Sequence, residues 1–337
     1  MLTAVSAIFV FLIVILFHEF GHFIVAKTVG IKVNEFSIGM GPKFFQKERG
    51  ETKYSIRILP IGGYVSMEGE DEGSSDPRSF NRVPVLSRIA VISAGAIMNF
   101  ILAIIVFSIV VFSLGMPTTT IQNVQPDSPA ERIGIQNGDA IVRINDKPIN
   151  DWDSIVERIN SASPDKELKV TIMRDEKELD YSLQPTKGED DRTIIGIEPV
   201  LKKSFLLSIK GGVEQTLAVL KMMFGFLRMA LRGQVSTRDL SGPVGVIYTI
   251  GEAAKYGIVN LLYLMGFISV NLGFFNLLPL PALDGSRIIF LIIEMIRGKA
   301  INPEKEGFIH FIGFVLLILL MLIVTYSDII RFNIFKG

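Results

Sequence analysis

Two histidines four residues apart, with a glutamate beside the first, form the run HEFGH at His18, Glu19 and His22. On an α-helix, residues i and i+4 share a face, so both imidazoles can grip one metal ion while Glu19 reaches a water molecule beside it as general base. Zinc is the ion that suits such a pair. The sequence contains no cysteine, which removes thiolate ligands, thiol nucleophiles and disulfides together. Any metal must therefore sit on His, Asp and Glu, and a catalytic zinc needs a third protein ligand while keeping one position open. His310 is one candidate; Asp284, in the segment NLLPLPALDG (276–285), is the other.

The element that carries the paired histidines is apolar. Met1 to Ala26 has Glu19 as its sole carboxylate and no Lys or Arg; Ile89 to Met116 and Tyr256 to Leu283 carry no charge, and Gly307 to Tyr326 holds only His310. Each is long enough for the roughly 20 residues that cross a hydrocarbon core. The first lacks the basic leader and small-residue cleavage site of a secretory signal peptide, so it is expected to be a span. Ionisable side chains within a span carry a heavy desolvation cost and mark function by default.

Lys and Arg number ten from Lys27 to Arg88 and four from Asp284 to Glu306, against none before the first span and two, Arg331 and Lys336, after the fourth. The positive-inside rule then places both basic loops in the cytoplasm and both termini outside. Spans one and three run in the same direction and put their candidate ligands toward the inner end. At about 1.5 Å of rise per residue, His22 lies roughly 6 Å and His18 roughly 12 Å short of Ala26, the last residue before the basic boundary at Lys27. Asp284 comes from the same side, just after Pro279 and Pro281 interrupt regular helix. These three groups can meet inside the membrane, whereas His310 stands near the cytoplasmic entrance of its span and reads as an interfacial residue.

The insert between spans two and three reads as a folded module. Ile121 to Val124 is an expected strand, Ser128 to Glu131 a capping box with proline at the first helical position, and Asn137-Gly138 a turn. Ala140 to Asn145 alternates as a strand, Trp152 to Asn160 is helical, and Leu168 to Arg174 with Glu178 to Leu183 forms a hairpin around Asp175-Glu176. Trp152, the only tryptophan, is expected to pack within this module. Ser204 to Arg232 follows with charges at 210, 214, 221, 228 and 232 on one helical face, as in an amphipathic helix at the membrane interface; the other reading packs it on the module. In the first basic loop, Tyr54 to Ile58 alternates as a strand, Pro60, Gly62 and Gly63 interrupt it, and an extended pattern resumes at Tyr64 and Val65. Glu68 to Pro77 reads as a solvated acidic loop. Thirty-four basic residues balance thirty-four acidic ones, so nothing electrostatic points to nucleic acid as a partner.

HEFGH in a first span, NLLPLPALDG in a third and SPAERIGIQNGDAIVRIND in an insert that looks like a PDZ domain resemble, over nearly the whole chain, the bacterial site-2 protease family of the regulator-of-sigma-E protease type. The resemblance implies one catalytic Zn2+ on His18, His22 and Asp284, with Glu19 as catalytic base. It assigns Asn276 to substrate positioning, matches the segment around Gly62, Gly63 and Tyr64, extended here to Val65, to the family's membrane-associated β element, and matches Gly95 to Asn99 to its small-residue and asparagine motif. The expected fold is a polytopic α-helical membrane protein with four transmembrane helices, a cytoplasmic β-rich loop and one extracytoplasmic PDZ-like α+β domain. Its parts are span one at 1–26, the β-rich loop at 27–88, span two at 89–116, the PDZ-like domain at 117–200 and an amphipathic segment at 201–255. Span three at 256–283, a cytoplasmic loop at 284–306, span four at 307–327 and a tail at 328–337 complete the chain. The implied activity is intramembrane endopeptidase cleavage of single-pass transmembrane proteins or peptides, anti-sigma factors or signal-peptide remnants among them, in the lipid bilayer of the bacterial cytoplasmic membrane. On the residues alone, an ion transporter with a His, Glu and Asp relay and a non-catalytic PDZ scaffold are the rivals.

Overall fold

The computed structural model describes residues 1–70, 74–163, 166–188, 192–236 and 239–332. Residues 71–73 of the expected acidic loop, and Lys336, lie outside the described residues. The chain divides into two compact units, Met1–Val110 with Ile209–Gly337, and Val111–Ser208.

The first unit opens with α1 (Leu2–Thr28), strands β1 (Val33–Arg49) and β2 (Thr52–Met67), and α2 (Val85–Leu114). Gly39, Gly41 and Pro42 look locally like a loop yet lie within β1, and β2 is continuous through Pro60, Gly62 and Gly63, where an interruption is expected. The glycines are bends: Gly39, Gly41 and Gly62 have φ of 83°, 84° and 86°, and they fold the two long strands back on themselves. As a result Val33 to Ile38 pairs with Gly63 to Met67 on one side and, from Glu35, with Lys53 to Ile56 on the other. Lys53 to Ile56 pairs again with residues 45–48. The alternating run around Tyr54 is therefore interior, and the edges fall to Gly63 to Met67 on one side and to residues 45–48 on the other.

The second unit follows local signals closely. Its elements are β3 (Met116–Val124), α3 (Pro129–Arg132), β4 (Ala140–Ile144), β5 (Lys147–Pro148), α4 (Trp152–Asn160), β6 (Leu168–Arg174), β7 (Lys177–Leu183), β8 (Thr186–Lys187), β9 (Thr193–Ile194) and β10 (Ile197–Lys202). Ser128 caps α3 by accepting the Glu131 N–H at 3.3 Å, and the Glu131 carboxylate takes the Asp127 N–H at 2.7 Å. Asp175 and Glu176 sit at φ of 50° and 61°, the paired positive angles a two-residue hairpin needs. The main sheet runs β10-β3-β4-β6-β7 with β5 beside β4. Ile121, Ile141, Ile144, Ile155, Val170 and Ile172 form its core, with Trp152 packed against them.

The first unit resumes with α5 (Phe205–Leu231, begun in the second), α6 (Pro243–Lys255), α7 (Ile258–Leu277), α8 (Asp284–Arg297) and α9 (Pro303–Arg331). Among the described residues, α1, α2, α7 and α9 are long and apolar enough to cross a membrane. α5 is the expected amphipathic helix, with its small-residue face on α2: a Cβ at Gly212 would lie 2.6 Å from the Ile104 carbonyl oxygen. Gln215 donates to the Tyr263 hydroxyl of α7 at 2.8 Å, and Phe224 meets Phe274 of α7 edge to face. Two further helices were not anticipated: α6 within the amphipathic segment, and α8 within the stretch expected as a loop at 284–306.

Candidate metal centre

Helix α1 continues unbroken through the HEFGH run, so His18 and His22 project from one face, as their spacing requires. Opposite them, α7 stops at Leu277 and α8 starts at Asp284. Gly285 makes that restart possible, because a Cβ there would lie 2.2 Å from the Leu278 carbonyl oxygen. Asp284 Oδ2 stands 3.3 Å from His18 Nε2 and 3.6 Å from His22 Nε2, and the two Nε2 atoms are 3.2 Å apart. Ligand atoms about 2.0–2.1 Å from a tetrahedral zinc lie roughly 3.3 Å from one another. Three of the four corners of such a site are present.

The surroundings fix the chemistry of those atoms. His22 Nδ1 lies 2.9 Å from the Val91 carbonyl oxygen, which can only accept, so the proton is on Nδ1 and the Nε2 lone pair faces inward. His18 Nδ1 lies 3.2 Å from the side-chain amide of the fully buried Asn99, whose backbone carbonyl accepts the Ser269 hydroxyl at 2.8 Å. Asn99 Oδ1 has no partner among the described residues. With the amide turned over it receives the Nδ1 proton of His18, and both rings then present Nε2 lone pairs as ligating imidazoles do. Asp284 Oδ2 is likewise buried without a hydrogen bond. Electron-rich atoms this close repel one another unless a cation stands among them, so the residues fit zinc.

Helix α2 shapes the cavity. A Cβ at Gly21 would fall 2.3 Å from the Ala94 carbonyl oxygen, and one at Gly95 would fall 2.4 Å from His22 Nε2. Asn276 Nδ2 is 3.4 Å from His18 Nε2, which brings the predicted positioning residue to the same centre. Of the predicted strand residues, Gly63 comes nearest, since a Cβ there would lie 3.3 Å from Glu19 Cγ. Gly62 makes the bend, the Tyr64 hydroxyl is bound by the Arg57 guanidinium, and Val65 packs against the core around Val33 and Met67. His310 is not at the centre: its Nδ1 accepts the Ala282 N–H at 3.1 Å. Neither Asn99, beyond its place in a motif, nor the Val91 carbonyl is marked by local sequence as a partner of the histidines, because they lie 81 and 69 residues away along the chain.

A sequence model described as Peptidase family M50 matches residues 6–320. A protein of Clostridium acetobutylicum is 41% identical over 330 residues, covering 97% of this chain and 97% of its own. The regulator of sigma-W protease RasP of Bacillus subtilis is 34% identical over 416 residues, 98% of each chain, and the zinc metalloprotease RasP of Bacillus licheniformis is 34% identical over 415 residues, 98% and 99%. A crystal structure of a PDZ domain from an SdrC-like protein of Listeria monocytogenes aligns at 20% identity and a TM-score of 0.23, over 25% of this chain and 88% of that one.

Proposed function

The chain belongs to peptidase family M50, the site-2 proteases, and from this premise we propose that it cuts a peptide bond within or beside a transmembrane segment of another protein. It is a zinc metalloprotease, and the ligands we assign are His18, His22 and Asp284. The observation that carries the assignment is the convergence of their three donor atoms at 3.2–3.6 Å, with Asp284 Oδ2 otherwise unpartnered. Zinc held there supplies the Lewis acidity that polarises a carbonyl and makes water nucleophilic near neutral pH. Glu19, next to the first ligand, takes the proton of the attacking water and gives it to the leaving amine. Asn276 holds a substrate amide or carbonyl beside His18. The edge from Gly63 to Met67 receives the unwound substrate as an added strand, a reading supported by the closeness of Gly63 to Glu19.

The name of the Bacillus subtilis relative, regulator of sigma-W protease, favours single-pass substrates such as anti-sigma factors; signal-peptide remnants have the same chemistry. The Lys and Arg distribution supports an orientation with both termini and the PDZ-like unit outside, where that unit screens the substrate's outer domain. Membrane proteomics of cells carrying Glu19→Gln in place of the wild type tests the function. Single-pass proteins or their trimmed stubs should accumulate only in the variant; identical membrane proteomes would reject the protease reading in favour of a scaffold.

A further inference from the structure

The turn that delivers Asp284 is strained. The Leu283 N–H bonds the Leu280 carbonyl at 3.1 Å, which puts Pro281 and Ala282 at the centre of a β-turn, and Ala282 has φ of 71°. A turn with proline at its first central position and positive φ at the second asks for Gly or Asn there. Alanine pays a steric penalty in that conformation, so something outside the turn must hold it.

Helix α9 is in contact at that point. The Ala282 N–H donates to His310 Nδ1 at 3.1 Å. Three residues on, Gly313 lies so close that a Cβ there would stand 2.2 Å from Pro281 Cβ. His310 and Gly313 share a helix face, and that face cradles the turn. His310 Nε2 is buried and makes no hydrogen bond among the described residues; its nearest carboxylate oxygen, on Glu306, is 3.9 Å away. Nδ1 is the working atom of the ring.

We propose that His310 is a positioning residue for the metal centre, which by accepting the Ala282 N–H holds the Pro281–Ala282 turn in the conformation that carries Asp284 to His18 and His22. The proposal rests on Asp284 being a ligand. It makes α9, which carries no ligand itself, the brace of the third one. Two substitutions separate this role from any other. Asn places an amide oxygen near the position of Nδ1 and preserves the acceptor, whereas glycine at 282 adopts positive φ without strain and removes the need for one.

The test measures zinc affinity by chelator competition, with the full-length protein in detergent and unfolding midpoints recorded alongside. His310→Ala should bind zinc about tenfold more weakly, the range typical of residues that orient a ligand. His310→Asn should stay within about twofold to threefold of wild type, and His310→Ala with Ala282→Gly should recover most of the loss. An Asn variant as weak as the Ala variant, or a double variant that recovers nothing, overturns the proposal. Should His310→Ala fail to fold, a folded, zinc-binding double variant supports the assignment and an unfolded one contradicts it. Asp284→Ala is the control: full zinc affinity there would instead reject Asp284 as a ligand, a failure of the parent reading rather than of this one.

Discussion

A methyl group at position 95 would stand 2.4 Å from His22 Nε2 and 2.7 Å from His18 Cε1, in the space the two rings occupy. Gly→Ala within a helix ordinarily stabilises by about 0.5–1 kcal/mol, so Gly95→Ala has opposing effects on helix and site. We expect the variant to fold at least as well as the wild type while losing about tenfold to a hundredfold in zinc affinity, by displacement of the rings. Equilibrium zinc titration checks this, and unchanged affinity would show that the rings have room to shift. The pairing of the histidines was legible in the sequence because i and i+4 place two imidazoles on one face without any tertiary information. The closeness of Asp284 to them was legible from expected depth: spans one and three are expected to run alike, and prolines interrupt the third beside it. Asn99 and the Val91 carbonyl were not legible as ring-holders, since helix packing between α1 and α2 alone brings them to His18 and His22.

A strand edge beside a metal centre answers a specific difficulty. A substrate helix satisfies its own backbone, and in lipid each broken hydrogen bond costs several kcal/mol, so replacement partners must be ready as it unwinds. Gly63 to Met67 pairs with Val33 to Ile38 on one side, and no pairing on the other is present among the described residues. Adjacent residues of a strand send their N–H groups to opposite sides, so of Tyr64→Pro and Val65→Pro one removes a bond to β1 and the other a donor on the open edge. The edge variant should fold, keep zinc and cleave a stiff transmembrane substrate at least tenfold more slowly, with a smaller loss for substrates carrying helix-weakening Gly or Pro near the cut. Cleavage assays on the matched pair decide it: equal losses would contradict strand addition. Alternation located this strand at Tyr54 but not its edge, because Gly39, Gly41 and Gly62 fold the ladder back and leave Tyr54 inside it. Those glycines also hid β1, as they read locally as loop.

Four membrane-length helices were readable as long apolar runs, and the hairpin, cap and turns of the second unit as local chemistry. α6 and α8 were overlooked because both are short and amphipathic and adjoin longer apolar runs, and their burial depends on neighbours such as Arg88, whose guanidinium grips Glu294 of α8. The proposed task of the whole molecule is to hydrolyse a bond where water is scarce, and the proposed ligands, the proposed base and the strand edge all belong to the unit that holds α1, α7 and α9. The most direct test is mass spectrometry of a single-span substrate reconstituted with the purified protein in lipid vesicles. The account predicts one principal cut within or at the margin of the substrate's apolar stretch, abolished by a zinc chelator, restored by zinc and lost in Glu19→Gln even though that variant keeps its zinc. A cut confined to the substrate's soluble portion, or one that persists in Glu19→Gln, would contradict it.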